Sequence, residues 1–150
     1  MTDLAKSFSI GIKEIKFIDF SLTSAANELK EPEVEKFEFQ FQIQTQVVES
    51  TKTFDIILKI LISYKTTETI NIELGHIETF SSFFITEFDE VVKKEAEVLT
   101  VPETIFPTTI GVAISTARGM LVMLLKDTNI SRATIPIVNA QQFAPQKNKS

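Results

Sequence analysis

The chain has 150 residues, enough for one domain that buries a core, and 43% of them are hydrophobic, including 13 Phe. A net charge of −5 speaks against a nucleic-acid binder, which needs a basic face to neutralise phosphates. The absence of cysteine excludes disulfides, thiolate chemistry and cysteine-ligated metals. The N-terminal residues do not resemble a signal peptide, and no uninterrupted apolar run reaches the ~20 residues that span a bilayer, so we expect a cytoplasmic protein.

The first half of the chain alternates with a period of two and predicts antiparallel strands. The first strand, Phe8–Leu22, slips in phase, which is typical of a bulge, and a polar loop over Ser24–Pro32 follows. The second strand, Val34–Val48, alternates most strictly. Its apolar face is expected to point towards the core and consists of Phe37, Phe39, Phe41, Ile43, Thr45 and Val47.

The third strand, Thr53–Thr66, is apolar on both faces because Ile57 and Leu61 lie on its second side. A strand of this kind is central in its sheet or contacts a partner. The fourth strand is predicted over Thr69–Glu78. At its exit, a cluster of apolar side chains either fills the seam between sheet and helix or lines an exposed groove. The cluster consists of Phe80, Phe83, Phe84, Ile85 and Phe88.

Helical spacing replaces the period of two beyond residue 104. Thr86–Leu99 is predicted as a short helix or an irregular crossing, and Glu103–Lys126 as an amphipathic helix of about six turns. The fold class is therefore α+β, a four-stranded antiparallel sheet followed by one long helix. We expect one domain over residues 1–150, with flexible ends at 1–7 and 145–150.

Catalytic and metal-binding patterns are missing from the sequence. The single histidine, His76, shares a strand face with Glu78 while Glu73 lies opposite, and we interpret it as a surface histidine rather than half of an acid–base pair. The acidic run Glu87–Glu90 lacks the central glycine of a calcium loop, and no glycine-rich phosphate loop is present. We predict that the protein is not an enzyme and uses no cofactor or metal. A small-ligand carrier or an enzyme that uses a Phe-lined groove is a distant alternative.

Three stretches in the second half of the chain form an ordered set of motifs. The first is Ile105-Phe106-Pro107 at the start of the long helix, and the second is Ser115-Thr116-Ala117-Arg118-Gly119, a small-residue-Arg-Gly pattern. The third is Ile135-Pro136-Ile137-Val138-Asn139 with Phe143, and upstream lies Ile72-Glu73-Leu74 followed by Phe80. Taken in this order, the three stretches resemble the SecB family of protein-export chaperones, and the upstream piece resembles the family's last strand.

The resemblance implies Greek-key wiring, a long helix behind the sheet, and a homotetramer built as a dimer of dimers. It implies a holdase that binds unfolded or precursor polypeptides without ATP and delivers them to the translocation motor ATPase SecA. Glu73 matches the acidic motor-docking residue. The candidate client-binding residues are Phe80, Phe83, Phe84, Phe88, Leu29, Val34 and Ile130.

Two departures from the family pattern keep alternatives open. The interval between Gly119 and Pro136 is longer than usual, and the family's second helix and acidic tail are missing after Phe143. The client is therefore either a range of exported proteins or one dedicated partner, such as an antitoxin that the chaperone guards from aggregation. A structural or interaction module on the same fold, without chaperone activity, is the further alternative.

Overall fold

The computed structural model describes residues 8–29, 36–65 and 71–143. The predicted flexible ends and the candidate residue Val34 lie outside the described residues. Within them, four long strands form one antiparallel sheet in the order β1-β4-β3-β2. The strands are β1 (Ile10–Leu22), β2 (Phe37–Val48), β3 (Thr53–Lys65) and β4 (Asn71–Ile85). The short helix α1 (Ser24–Glu28) follows β1, where the sequence predicted a polar loop. The predicted α+β class and Greek-key order are confirmed, because β2, β3 and β4 form a meander and β1 pairs with β4.

One face of the sheet carries the core. Along β3 every second side chain is buried. The neighbouring strand β4 has buried side chains on the same face, and the helix α3 (Ile105–Leu125) packs over both strands. The buried side chains of β3 are Phe54, Ile56, Leu58, Ile60 and Ile62. We call this the inner face of the sheet, and the opposite side its outer face. The outer face of β3 holds Ile57 and Leu61, both half-buried.

The apolar side of β2 faces inwards as predicted, because Phe39 pairs with Ile62 and Phe41 with Ile60. Phe37, Phe39, Phe41 and Ile43 are nevertheless half-buried rather than buried. The physical reason is that β2 is an edge strand, whereas the helix packs against the two central strands. Truncation of Phe41 to Ala should therefore cost less than the ~3–5 kcal/mol expected of a fully buried Phe.

The fourth strand is longer than predicted and runs to Ile85 instead of ending at Glu78. The 13-residue β1 pairs along this extension, from Lys16 opposite Phe80 to Ile10 opposite Ile85. The aromatic cluster placed at the exit from the strand therefore lies mostly inside it, with alternate side chains on opposite faces of the sheet.

Bulges decide which side chains share a face. β1 has two register shifts, between Ile12 and Glu14 and between Phe17 and Asp19, which confirms the predicted phase slip. A third shift leaves Leu74 without a partner on β3, so that Glu73 pairs with Ser63. This extra residue places Glu73 on the same face as His76, whereas strict alternation predicted the opposite face.

The connection from β4 to the helix contains the one-turn helix α2 (Phe88–Val91) and a small hairpin of β5 (Lys93–Glu95) and β6 (Val98–Thr100). Ala96 and Glu97 form the hairpin turn with φ of 49° and 67°, a left-handed conformation that non-glycine residues rarely adopt. The sequence predicted a short helix or an irregular crossing here. It missed the hairpin because no glycine marks the turn.

The long helix matches its prediction to within two residues at either end. Its buried stripe contains Ile105, Ile110, Ala113, Ile114, Ala117, Leu121 and Leu125. Arg118 is the one charged residue between Ile105 and Leu125, and the helix is long and apolar enough to cross a membrane by length and composition. In this fold 39% of its most apolar window is buried inside the protein.

Beyond the helix, the chain returns across the fold as residues 130–143, which we call the return segment. Ile130, Ala133 and Ile135 are buried in the core. Arg118 fastens the segment to the helix, since Nε donates to the carbonyl of Ile135 and Nη2 to the carbonyl of Pro136, both at 2.8 Å. A short 3-10 turn, Ala140–Phe143, ends the described part of the chain.

Candidate functional site

An apolar groove runs along the inner face of the edge strand β2. It consists of two adjoining cavities of about 300 and 490 Å³ that share Thr45 and Phe106. The smaller cavity is lined by Phe41, Ile43, Thr45, Phe106 and Phe143. The larger cavity is lined by Thr45, Gln46, Val47, Phe54, Glu97, Leu99, Thr100, Val101, Glu103 and Phe106. We call this surface the β2 groove.

The groove exists because the helix does not reach the edge of the sheet. Alternation puts Phe41, Ile43 and Val47 on one side of β2, where a covering helix would bury them completely. The helix packs on β3 and β4 instead, so these side chains stay half-buried and form the floor. Phe106, in the first turn of the helix, forms part of the wall.

Two aromatic pairs fix the walls. Phe143 of the return segment packs on Phe41 with ring centroids 5.6 Å apart and an interplanar angle of 57°. Phe106 meets the buried ring of Phe54 edge-on at 5.3 Å and 81°. Pairs of this geometry contribute about 0.5–1.5 kcal/mol beyond the area they bury. They therefore join the helix start and the return segment to the strands beneath.

The hairpin supplies the remaining wall and its charge. Leu99 and Glu97 belong to the lining, and Glu103 joins them from just before the helix. Lys94 Nζ lies 3.4 Å from Oε2 of Glu49 and links the hairpin to the turn between β2 and β3. Among the described residues, the charged side chains in the lining of the two cavities are Glu97 and Glu103.

The predicted client-binding residues do not converge on one surface. Leu29, Phe83, Phe88 and Ile130 are all less than one-tenth exposed and belong to the core. Phe80 and Phe84 lie on the outer face of the sheet, and Val34 falls outside the described residues. None of the six described candidates lines the β2 groove. Client contact by Phe80 and Phe84 stays a prediction.

The outer face carries its own apolar surface. Phe80 and Ile57 line a cleft of about 430 Å³ with Gln44, Gln46 and Asp55 around it. Phe84 is 45% exposed, and the ammonium of Lys13 lies 5.7 Å from the centre of its ring. Glu73 is exposed on this face, and its backbone carbonyl accepts a hydrogen bond of 2.8 Å from Thr23 Oγ1. Its motor-docking role stays a prediction.

His76 is held by neighbours that the sequence did not identify. Its Nε2 lies 2.9 Å from Oδ2 of Asp19, and its Nδ1 lies 3.2 Å from the hydroxyl of Ser21. The hydrogen bond from His76 lowers the pKa of the Asp19 carboxyl below its usual value. Both ring nitrogens of His76 have hydrogen-bond partners on β1, so the ring links β4 to β1. Among residues 8–29, 36–65 and 71–143, no cluster of three metal-ligating side chains occurs.

Sequence analysis named the main groove residues Phe41, Phe106 and Phe143, but it did not predict that they lie together. The strict Phe alternation of β2 was assigned to the core, because periodicity gives the face of a strand but not its position in the sheet. Phe106 and Phe143 were singled out only as family motifs. No local signal in the sequence marks β2 as an edge, because strand order depends on long-range pairing.

A four-stranded antiparallel sheet in this order, with one long helix on its inner face, is the fold of the SecB-like chaperones. The solved SecB-like chaperone of Mycobacterium tuberculosis, in complex with a ChAD peptide from the HigA1 antitoxin, has this fold. It matches with a TM-score of 0.58 and 12% identity, over 86% of this chain and 90% of that chain. At this identity the likeness shows the fold. The sequence matches no family model and no curated protein.

Proposed function

We propose that this protein is a holdase chaperone that binds non-native polypeptides in the β2 groove without ATP. The observation that carries the proposal is the groove itself, an open trough floored by Phe41 and Ile43 and walled by Phe106 and Phe143. A fully folded domain with no partner for this surface would leave costly apolar area in water. An unfolded chain can cover it.

The composition of the groove suits varied clients. Aromatic side chains bring large apolar area with few rotatable bonds, so they bind apolar segments without demanding one sequence. The exposed Glu97 in the lining favours clients that carry a basic residue beside the apolar ones. Because the sequence has no glycine-rich phosphate loop, the binding surface alone accounts for the activity.

A dedicated client is the second candidate. The M. tuberculosis protein of the same fold was solved with a peptide from an antitoxin, which favours an antitoxin-guarding role for this chain as an alternative to general export. In the export hypothesis, the protein is cytoplasmic and delivers its client to the motor ATPase SecA. Glu73 is the residue through which the protein docks on SecA. Binding of SecA by the purified protein, lost in Glu73→Gln, supports export. Failure of SecA to bind favours the dedicated client.

The proposal includes assembly into a dimer of dimers. Two inner-face side chains of β1 lie beyond the cover of the helix, Ile12 at 56% and Phe17 at 49% exposure. Near the end of the helix, Val122 and Met123 are exposed at 52% and 70%. A second copy that covers these surfaces removes them from water. Light scattering is expected to report a mass of four chains, and a 16.9 kDa species at micromolar concentration contradicts assembly.

The test of the holdase proposal is aggregation of a chemically denatured client, followed by light scattering. Wild-type protein in several-fold excess is expected to delay aggregation. Phe143→Ser is expected to reduce the delay, because Phe143 lies in the last described turn and forms a groove wall. Phe84→Ser is the matched control, since it removes an equally large ring from the outer face. Phe83→Ser is unsuitable because Phe83 is 1% exposed and its loss unfolds the core.

The outcomes separate the hypotheses. No delay with wild type contradicts a general holdase and favours an interaction module or a dedicated client. A delay that Phe84→Ser removes and Phe143→Ser preserves moves the client site to the outer face. Circular dichroism and thermal unfolding of each variant confirm that a lost activity does not come from a lost fold.

A further inference from the structure

The two edges of the sheet are built differently. On the outer edge of β1, two bulges interrupt the strand, and four charged residues lie between them or beside them, namely Lys13, Glu14, Lys16 and Asp19. Bulges and charges of this kind prevent a second strand from pairing with an edge. The β1 edge is therefore protected against strand addition.

The edge of β2 lacks these devices beyond Glu38 in its second position. Its register with β3 is unbroken over all 12 residues, from Phe37 opposite Tyr64 to Val48 opposite Thr53. No proline, glycine or charged residue occurs from Phe39 to Val48. Among the described residues, no backbone hydrogen bond from another segment reaches this strand from outside the sheet. An edge of this length with an unbroken register is a template for another strand.

The outer face of the same strand carries a row of amides. Four glutamines, Gln40, Gln42, Gln44 and Gln46, alternate with the groove residues and are all exposed. Stacked Gln side chains on neighbouring strands form hydrogen bonds with one another along a sheet. The strand thus offers apolar pockets on its inner side, amides on its outer side, and between them backbone groups that have no partner within residues 8–29, 36–65 and 71–143.

We propose that a client segment adds to the β2 edge as a fifth strand, with alternate apolar side chains in the groove and the intervening polar side chains against the glutamine row. The partner is an extended segment of a non-native protein that alternates apolar residues with Gln, Asn or Thr. This inference rests on the proposed function, since the groove that holds the apolar side chains borders the same strand. Backbone hydrogen bonds supply affinity, and the two side-chain rows supply register.

The choice of a client over a second copy follows from the groove. A strand added at β2 continues the inner face outwards, where its apolar side chains meet Phe41, Phe143 and the hairpin wall at Leu99. A second copy that paired at this edge would present its own Phe41 and Ile43. It would also bring its own groove walls, so that two sets of walls would lie at one edge. An isolated extended chain brings only side chains.

The experiment uses the purified protein and a short Lys-flanked peptide that alternates Phe or Ile with Gln. Two N-methylated forms of the peptide are compared, one methylated at the apolar positions and the other at the Gln positions. Because alternate amides of an added strand point towards and away from β2, one form is expected to lose affinity by about tenfold or more, while the other binds like the parent. Equal affinities of both forms overturn strand addition.

The glutamine row is tested by the double variant Gln42→Ala/Gln44→Ala, which leaves the groove lining intact. The variant is expected to weaken the Gln peptide about twofold to fivefold per lost pair and to leave a matched Phe–Ala peptide unchanged. An equal loss with both peptides contradicts the amide row.

Phe143→Ser is measured in parallel. If it weakens binding while neither methylation matters, the groove proposal stands and strand addition fails; if it changes nothing, the groove proposal fails.

Hydrogen exchange identifies the occupant. The peptide is expected to slow exchange of those Phe37–Val48 amides that point away from β3, with no change along the β1 edge. A different result assigns the edge to a second copy and overturns the proposal. In that case, without peptide, exchange slows as the protein concentration rises. Light scattering then reports a larger mass, and the double Gln variant removes this increase.

Discussion

Replacement of Arg118 by Met tests how the return segment is held. Arg118 makes hydrogen bonds of 2.8 Å to the carbonyls of Ile135 and Pro136. Bonds from a charged donor contribute about 1.5–3 kcal/mol each. Ile135 is 1% exposed whereas Pro136 is exposed, so the second bond is worth less, and the pair together should amount to about 2–4 kcal/mol. Met keeps most of the aliphatic stem and removes the donors.

The assay is urea unfolding followed by circular dichroism at fixed protein concentration, since assembly would shift the apparent stability. Arg118→Lys is the matched control: one ammonium can satisfy one carbonyl, so we expect about half of the loss. Arg118→Met should also weaken client binding, because Phe143 lies at the end of the segment that Arg118 fastens. A change in unfolding free energy below about 0.5 kcal/mol refutes this account of the return segment.

Three further predictions concern the sheet. Gly75→Ala should destabilise by about 1–3 kcal/mol in urea unfolding, because the added Cβ would collide with the carbonyl oxygen of Ser21, and an unchanged midpoint contradicts the close approach of β1 and β4. Thr79→Val should stabilise by about 1 kcal/mol, because the buried Thr79 hydroxyl has no hydrogen-bond partner among the described residues; a loss of stability argues for an ordered water there. Asp19→Asn should reduce stability near neutral pH but not in strong acid. The pKa of Asp19 in the folded protein lies below its ordinary 3.8, so on acidification the unfolded chain takes up the proton first. The stability that ionised Asp19 contributes is therefore complete above pH 3.8 and is lost as the pH falls through the folded pKa. The difference between wild type and variant in urea midpoint should therefore shrink from pH 7 to pH 2.5, and a difference that grows contradicts the Asp19–His76 pair.

Periodicity was sufficient to predict the four long strands, the long helix and the inner face of β2. The alternation of β2 predicted which side chains point inwards, and three- and four-residue spacing located the helix against the poor propensity of its β-branched and glycine residues. The family motifs were informative for a physical reason. Arg118 from one motif binds the carbonyls of Ile135 and Pro136 from another, so the motifs mark two ends of one contact.

Periodicity was not sufficient to predict where each strand lies in the sheet. Phe83 and Phe84 are neighbours in sequence, but one is buried in the core and the other is 45% exposed on the outer face. Phe41, assigned to the core, lies at the edge beside Phe143, over 100 residues away in the chain. Edge position, helix placement and the bulge at Leu74 depend on long-range pairing, which a local pattern does not contain.

The central claim is that clients occupy the β2 groove, and site-specific photocrosslinking tests it most directly. A photoreactive phenylalanine analogue replaces Phe41, on the groove floor, or Phe84, on the outer face, and each protein is irradiated with a denatured client. We predict a strong crosslink from position 41 that an excess of unlabelled client suppresses, and little or none from position 84. A crosslink from position 84 alone contradicts the claim and places the client on the outer face of the sheet.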